Sequence, residues 1–188
     1  TGGMERANHA LALHLAQRGG PLHLVGHHAS PDVLAFENVR FHRAPRPLNA
    51  DLLGMPLVNW IGRHWARRIS AAGGRVIVNG GNCPWGDVNW VHYVHAAWGS
   101  GWKRRWFMWD ERRAIRRANL IISNSARTTA DLVDKLGTDK KRIATVYLGV
   151  DADRFCPPTD RRRADLRRQL GWRPDEKGSR CCWAAAER

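Results

Sequence analysis

The chain has 188 residues, room for one domain with a substantial core and too few for two full ones. Apolar residues make up 43% and charged residues 26%, an ordinary globular balance, and no run approaches the roughly 18 to 20 apolar residues of a spanning helix. Two features stand out: a formal charge of +14, from 31 Lys+Arg against 17 Asp+Glu, and 10 Trp. The charge implies attraction to phosphate-bearing partners, although Arg greatly outnumbers Lys and part of the excess is general compositional bias.

In chain order, residues 4–18 place Met4, Ala7, Leu11 and Leu15 at helical spacing, with Gly19-Gly20 as the stop. Leu22–Val25 reads as a short buried strand, followed by a His27-His28 loop, and Val39–His42 as a second strand broken by Pro45 and Pro47. A helix is expected over residues 56–72, ending at Gly73-Gly74, and then a β-branched strand, Arg75–Asn79. A turn-rich loop at residues 80–87 precedes a strand at Asn89–Val94. A helix at Trp102–Arg117, a strand at Asn119–Ser123 and a helix capped by Ser125 and closed by Gly137 come next. Ile143–Tyr147 is the last strand. Strands alternating with helices predict an α/β domain with a parallel sheet.

The cysteines, Cys83, Cys156, Cys181 and Cys182, form no C-x-x-C pair, so neither a zinc site nor a disulfide framework is signalled. A reducing, cytoplasmic setting is the default expectation. No secretory apolar segment opens the chain, and Thr1 in first place leads us to expect the natural start further upstream. Walker-type, G-x-G-x-x-G, G-x-S-x-G and H-E-x-x-H motifs are absent. The nine histidines make a chance metal pair conceivable, and His27-His28 is treated as one.

Three segments carry chemistry. Gly2-Gly3 ahead of a helix allows close backbone approach, and a helix N-terminus favours anionic groups such as phosphate. The run Leu148-Gly149-Val150-Asp151 ends a strand in a hinge-like turn, with Asp151 able to cap the residues after it. Between them, Asn89–Trp98 sets His92 and His95 near a strand's carboxyl end, where open α/β sheets bind ligands. His95, past the strand, is the better placed.

The stretch from Arg113 to Pro158 resembles the family-4 type of retaining, GT-B-fold glycosyltransferases. In that family a strand ending in S-x-S is followed by a helix, a short basic turn, and a strand running into N/L-G-V-D-x-x-x-F-x-P. Ser123, Ser125, Leu148, Gly149, Val150, Asp151, Phe155 and Pro157 match in order and spacing. Gly2-Gly3-Met4-Glu5 resembles the family's glycine loop, and the likeness extends to about Lys177.

The resemblance implies a Rossmann-like, acceptor-side N-terminal half of a GT-B enzyme over residues 1–158. Residues 159–177 then form a linker into a second domain, and 178–188 an atypical tail. It implies a nucleotide-diphospho-sugar donor, a sugar or lipid-linked acceptor, retention of configuration, and neither cofactor nor metal. His95 would orient and stabilise rather than attack, since the donor phosphate serves as base in such enzymes. Gly2, Gly3, His92, Ser125 and Gly149 are the expected substrate contacts, with Gly3 and His95 converging on one cleft. Family members begin with a central strand ahead of the glycine loop; without it, Leu22–Val25 and Arg75–Asn79 should have unpaired, aggregation-prone edges. Most donor contacts lie on the second domain, so residues 1–188 alone are expected to be inactive.

On the helix from Trp102 to Arg117, Phe107, Met108, Ala114, Ile115 and Ala118 mark the core face, and Trp102, Trp106 and Trp109 an opposite stripe. Arg105 and Arg113 lie beside that stripe, a composition suited to an anionic membrane surface, here the inner face. Two other readings stay open. One is a basic nucleic-acid-binding module, disfavoured because the charge is spread over several helices without a recognition motif. The other is an epimerase or phosphorylase sharing the scaffold.

Overall fold

The computed structural model describes residues 2–95, 102–153 and 155–173, apart from the side chains at 51, 52, 102–104 and 106. It divides into two compact units, Thr1–Leu148 and Gly149–Arg188.

The first unit is α/β, with every strand pair parallel. Helix α1 (Gly3–Gln17) ends at Gly19, whose φ of 77° provides the left-handed residue that stops a helix. Strand β1 (Leu22–Gly26) pairs with β2 (Val39–Arg43) across a short helix, α2 (Pro31–Leu34). Ala16, Val33 and Val39 form the core between them, with Leu13, Leu22, Leu24 and Phe36 packed on it. The four residues of α2 gave no periodic signal in the sequence, being too few to display one.

Helix α3 (Asp51–Ala71) begins five residues ahead of the expected start and takes Pro56 into its interior. A proline there removes one helical hydrogen bond, a local loss that the rest of a long helix can carry. Strand β3 (Ile77–Asn79) is shorter than expected, because the Val76 N–H donates to the Asp87 carboxyl (2.9 Å) instead of a ladder partner. Strands β4 (Val88–Val91), β5 (Leu120–Ser123) and β6 (Ile143–Thr145) complete a four-stranded sheet in the order β3-β4-β5-β6. Helix α4 (Trp102–Arg117) connects β4 to β5, and α5 (Ala126–Leu136) connects β5 to β6. Val91, Val94, Ile115, Ala118, Ile121 and Leu132 form this half's core. Among the described residues β1 pairs only with β2 and β3 only with β4.

Three contacts lock the crossovers. The Arg142 guanidinium donates to the carbonyls of Ile115 (3.0 Å), Arg116 (3.2 Å) and Ala118, closing the C-terminus of α4 with a cation. Asn89, fully buried, donates to the Gly80 carbonyl at 2.9 Å and holds the loop after β3. At Gly81 that loop lies against α4 so closely that a Cβ would sit 3.2 Å from the Glu111 nitrogen and 3.3 Å from its Cα.

An aromatic cluster joins β1 and β2 to α3. The His42 ring stacks on Trp65 with centroids 3.5 Å apart, and His23 Nδ1 lies 2.9 Å from His42 Nε2. The Arg68 guanidinium lies over the Trp65 ring, 5.3 Å from its centroid, and His64 meets Trp65 edge-on. Burial, then the neighbouring His23 and His64, hold the His42 imidazole below its ordinary value of 6.5.

The second unit, described by itself, opens with a turn in which the Asp151 carbonyl accepts from the Phe155 N–H (2.9 Å) and its carboxyl from the Asp153 N–H (3.1 Å). Helix α6 (Asp160–Gln169) comes next, capped by the Thr159 hydroxyl.

Two outcomes are expected. A histidine held below its ordinary value binds protons more readily in the unfolded chain. Stability contributed by His42, and by His92, which burial also lowers, is therefore full above pH 6.5 and lost as pH falls through it. Thermal midpoints should drop between about pH 8 and about pH 5, and the slope should flatten in His42→Phe, which keeps the stack on Trp65. Gly81→Ala should push the loop off α4 and cost about 1–3 kcal/mol in denaturant unfolding, the usual range for overpacking.

Candidate functional site

The site is built where β4 gives out. Asn89 and Val91 face inward on β4 and are fully buried, while Trp90 and His92 fall on the other side of the chain by the two-residue period of a strand. The strand stops at Val91, three residues before the expected end, because the next segment is captured by α4. The His95 N–H points at both oxygens of Glu111, at 3.2 and 3.0 Å, and His95 Nδ1 lies 2.9 Å from Glu111 Oε1. A chain whose amide is committed to a helix side chain has left the sheet ladder. His95 therefore stands past the carboxyl end of β4, where ligands gather in parallel sheets.

Glu111 is buried, its side chain 1% exposed, whereas that of His95 is 26% exposed. Tyr93 meets the His95 ring edge-on with centroids 4.9 Å apart, and Phe107 stacks on it at 5.9 Å. The imidazole is thus fixed in plane by a carboxyl group and on its faces by aromatic rings, with part of its edge open to solvent. Such an arrangement can present a hydrogen-bonding nitrogen in a set orientation, the requirement for stabilising charge that develops on a reacting group.

The other residues singled out from the sequence each have contacts of their own. His92 does not join His95: both its ring nitrogens are buried with no hydrogen-bond partner among the described residues, and its ring packs 4.6 Å from Trp90. Burial lowers its imidazole below the ordinary value. Ser125 is the N-cap of α5, its hydroxyl accepting from the Thr128 N–H (3.1 Å) and lying 3.0 Å from the Thr128 hydroxyl. That hydroxyl serves the helix.

Gly2 is the N-cap of α1, and its N–H donates to the Glu5 carboxyl at 2.9 Å. A Cβ at Gly2 or Gly3 would meet no atom within 4 Å, so packing within this chain does not require either glycine. Two open grooves, of about 410 and 450 Å³, are lined by residues of α5 and β6 and by Ser70, Trp85 and Arg117. Neither groove is lined by Gly3 or His95. Gly149 opens the second unit, and a Cβ there would also meet empty space.

On α4 the core face is as expected at Ala114, Ile115 and Ala118, all buried, with Phe107 and Met108 half-buried. Trp109 is 58% exposed, with the Arg113 guanidinium 5.4 Å from its ring, and Arg105 is exposed. The side chains of Trp102 and Trp106 lie outside the described residues. His27 Nδ1 lies 2.9 Å from the Ala44 carbonyl oxygen, and no cluster of three or more metal-ligating side chains occurs among the described residues. No described helix is long and apolar enough to cross a membrane.

Glu111 is the residue that sequence reasoning missed. Its signal was present: it falls one turn from Phe107 and one from Ile115, a lone carboxyl on an apolar stripe.

Comparison with known proteins gives the fold and site a family. Residues 1–154 match the model of Glycosyltransferase Family 4. The chain is also similar to a D-inositol 3-phosphate glycosyltransferase of Corynebacterium aurimucosum, 34% identical over 61 residues, 32% of this chain and 14% of that protein. To the enzyme of the same name from Salinispora tropica it is 36% identical over 63 residues, 32% of this chain and 13% of that one. The matched segments thus span about a seventh of the length of those relatives. With an all-parallel α/β unit under a match that covers most of its length, this chain belongs to glycosyltransferase family 4.

Proposed function

We infer that the protein serves the transfer of a glycosyl group from a nucleotide-diphospho-sugar to an acceptor hydroxyl with retention of configuration, and that residues 1–158 form the acceptor-side half of the cleft. The supporting observation is His95, held past the carboxyl end of β4 by Glu111 and two aromatic rings. In this reading the bond from the anomeric carbon to the diphosphate oxygen breaks. The acceptor oxygen bonds to the same face, and its proton passes to the departing phosphate oxygen. His95 contributes a hydrogen bond to the sugar or its acceptor and takes no proton in the balance. Gly2 and Gly3, unencumbered by packing, leave room for backbone approach by a ligand at the start of α1. The names of the two relatives make an inositol phosphate a natural first acceptor to assay.

Most donor contacts in this reading come from a second Rossmann-like domain. Residues 1–188 alone then turn over negligibly, and steady multiple turnover by the purified 188-residue chain would overturn that part. In protein carrying both halves, His95→Ala is expected to lower kcat on the order of 10²-fold, the usual cost of losing one stabilising donor. Product anomeric configuration, read by NMR, should match that of the donor; an inverted product defeats the mechanism.

Docking on an anionic membrane, at its cytoplasmic face, is part of the same reading, favoured by exposed Trp109 beside Arg113 and Arg105. Co-sedimentation with phosphatidylserine vesicles should exceed that with neutral ones. It should be lost when Trp102→Ala, Trp106→Ala and Trp109→Ala are combined. Equal binding to neutral vesicles, or none to either, ends this part.

A further inference from the structure

We propose that Glu111 is the positioning residue of this site: its carboxyl group holds the His95 ring with a proton on Nδ1 and so fixes the orientation of the imidazole past the carboxyl end of β4. The inference rests on the reading of His95 as a site residue, and it assigns a role to a side chain on α4 that touches no substrate itself.

Three observations carry it. First, a fully buried carboxyl group is costly and persists only where hydrogen bonds compensate it. The partners of Glu111 among the described residues are the backbone N–H and the ring of one residue, His95. With 31 Lys+Arg in the chain, a cation was available to neutralise a merely structural acid. Instead the acid orients an imidazole. Second, the amide occupies both oxygens from one side while Nδ1 approaches Oε1, so the carboxyl is gripped at both ends and cannot rotate away from the ring. A carboxyl oxygen that already accepts from an amide also accepts at Nδ1, which puts the ring proton there. Third, the loop after β3 carries no side chain at Gly81, where a Cβ would press on the backbone of Glu111 itself. The surrounding structure is cut to seat this residue.

The test is a long-range proton–nitrogen NMR spectrum of the 188-residue protein in mildly alkaline buffer, which distinguishes the two neutral forms of each imidazole. We expect His95 in the Nδ1–H form. An Nε2–H form in the unaltered protein overturns the proposal, whether or not any variant folds. In Glu111→Gln the single amide oxygen cannot serve both the His95 N–H and Nδ1–H. The ring should shift toward the Nε2–H form, while the methyl signals of Val91 and Ile121 stay in place as a check on the core. Glu111→Asp, which keeps two acceptor oxygens on a shorter stem, should restore the Nδ1–H form in part. An unchanged His95 signal in folded Glu111→Gln overturns the proposal.

Turnover provides the second reading, in protein carrying both halves of the cleft. Glu111→Gln should lower kcat on the order of 10- to 100-fold, as for other partners that orient a functional histidine. KM for the donor should stay within about twofold if the loss lies in the transition state alone. Full turnover in His95→Ala would defeat the functional reading but leave the NMR result standing, so the two failures are separable.

Discussion

A hydrogen-bonded pair, Glu111 with His95, organises the half of the molecule that contains the four-stranded sheet. The pair joins the end of β4 to the middle of α4, and each neighbour is arranged around it. Gly81 lets the loop after β3 lie on the helix at that point, and Asn89 holds the same loop from inside the sheet. Ala114, Ile115 and Ala118 seat the following turns of α4 in the core, and Arg142 closes the helix from the start of β6. Without the carboxyl group, nothing in this set would oblige the chain to leave the ladder at Val91 or the imidazole to face one way.

The other half is held differently. Helix α3 lays Trp65 against His23 and His42 of the two-stranded sheet, while Gly62 and Ser70 of the same helix meet the loop after β3. There a Cβ on Gly62 would sit 3.4 Å from Cys83 Sγ, and Trp85 Nε1 lies 3.3 Å from the Ser70 hydroxyl. Between β1 and β3 no strand is shared, so this long helix is a bridge between two sheets that have no ladder in common. Cys83, enclosed beside it, has its thiol pushed up to about 11 by burial and is a packing group without nucleophilic character.

Much of this was legible in the residues. Helix α5 was readable at both ends because its signals are local: Ser125 caps it through its own side chain, and Gly137 takes the left-handed φ of 66° that closes it. The α4 core face came from periodicity. The features that could not be read were tertiary. His92 and His95 look alike in sequence, and only the direction in which the chain leaves β4 makes one a buried neutral ring and the other a held, partly open one. Pro56 reads locally as a helix start, and tertiary packing of α3 overrules it. Ser125 belongs to a family motif, and its hydroxyl caps α5 through Thr128. Glu111 is masked in the sequence for the opposite reason: α4 is crowded with charged residues, and only burial in the fold distinguishes this acid from the rest.

The position of the Glu111–His95 contact also bears on how the chain finds its fold. Parallel strands cannot meet through a tight turn, so β4 and β5 must wait for the whole segment carrying α4 to return before Val88 can align with Leu120. Loop closure of that size is what slows parallel topologies. A bond between residues 16 apart, struck inside the same crossover, divides the search into a shorter closure followed by a docking step. The interaction that orients the imidazole is thereby also an entropic shortcut, and the speed of refolding and the geometry of the binding face are tied to one side chain.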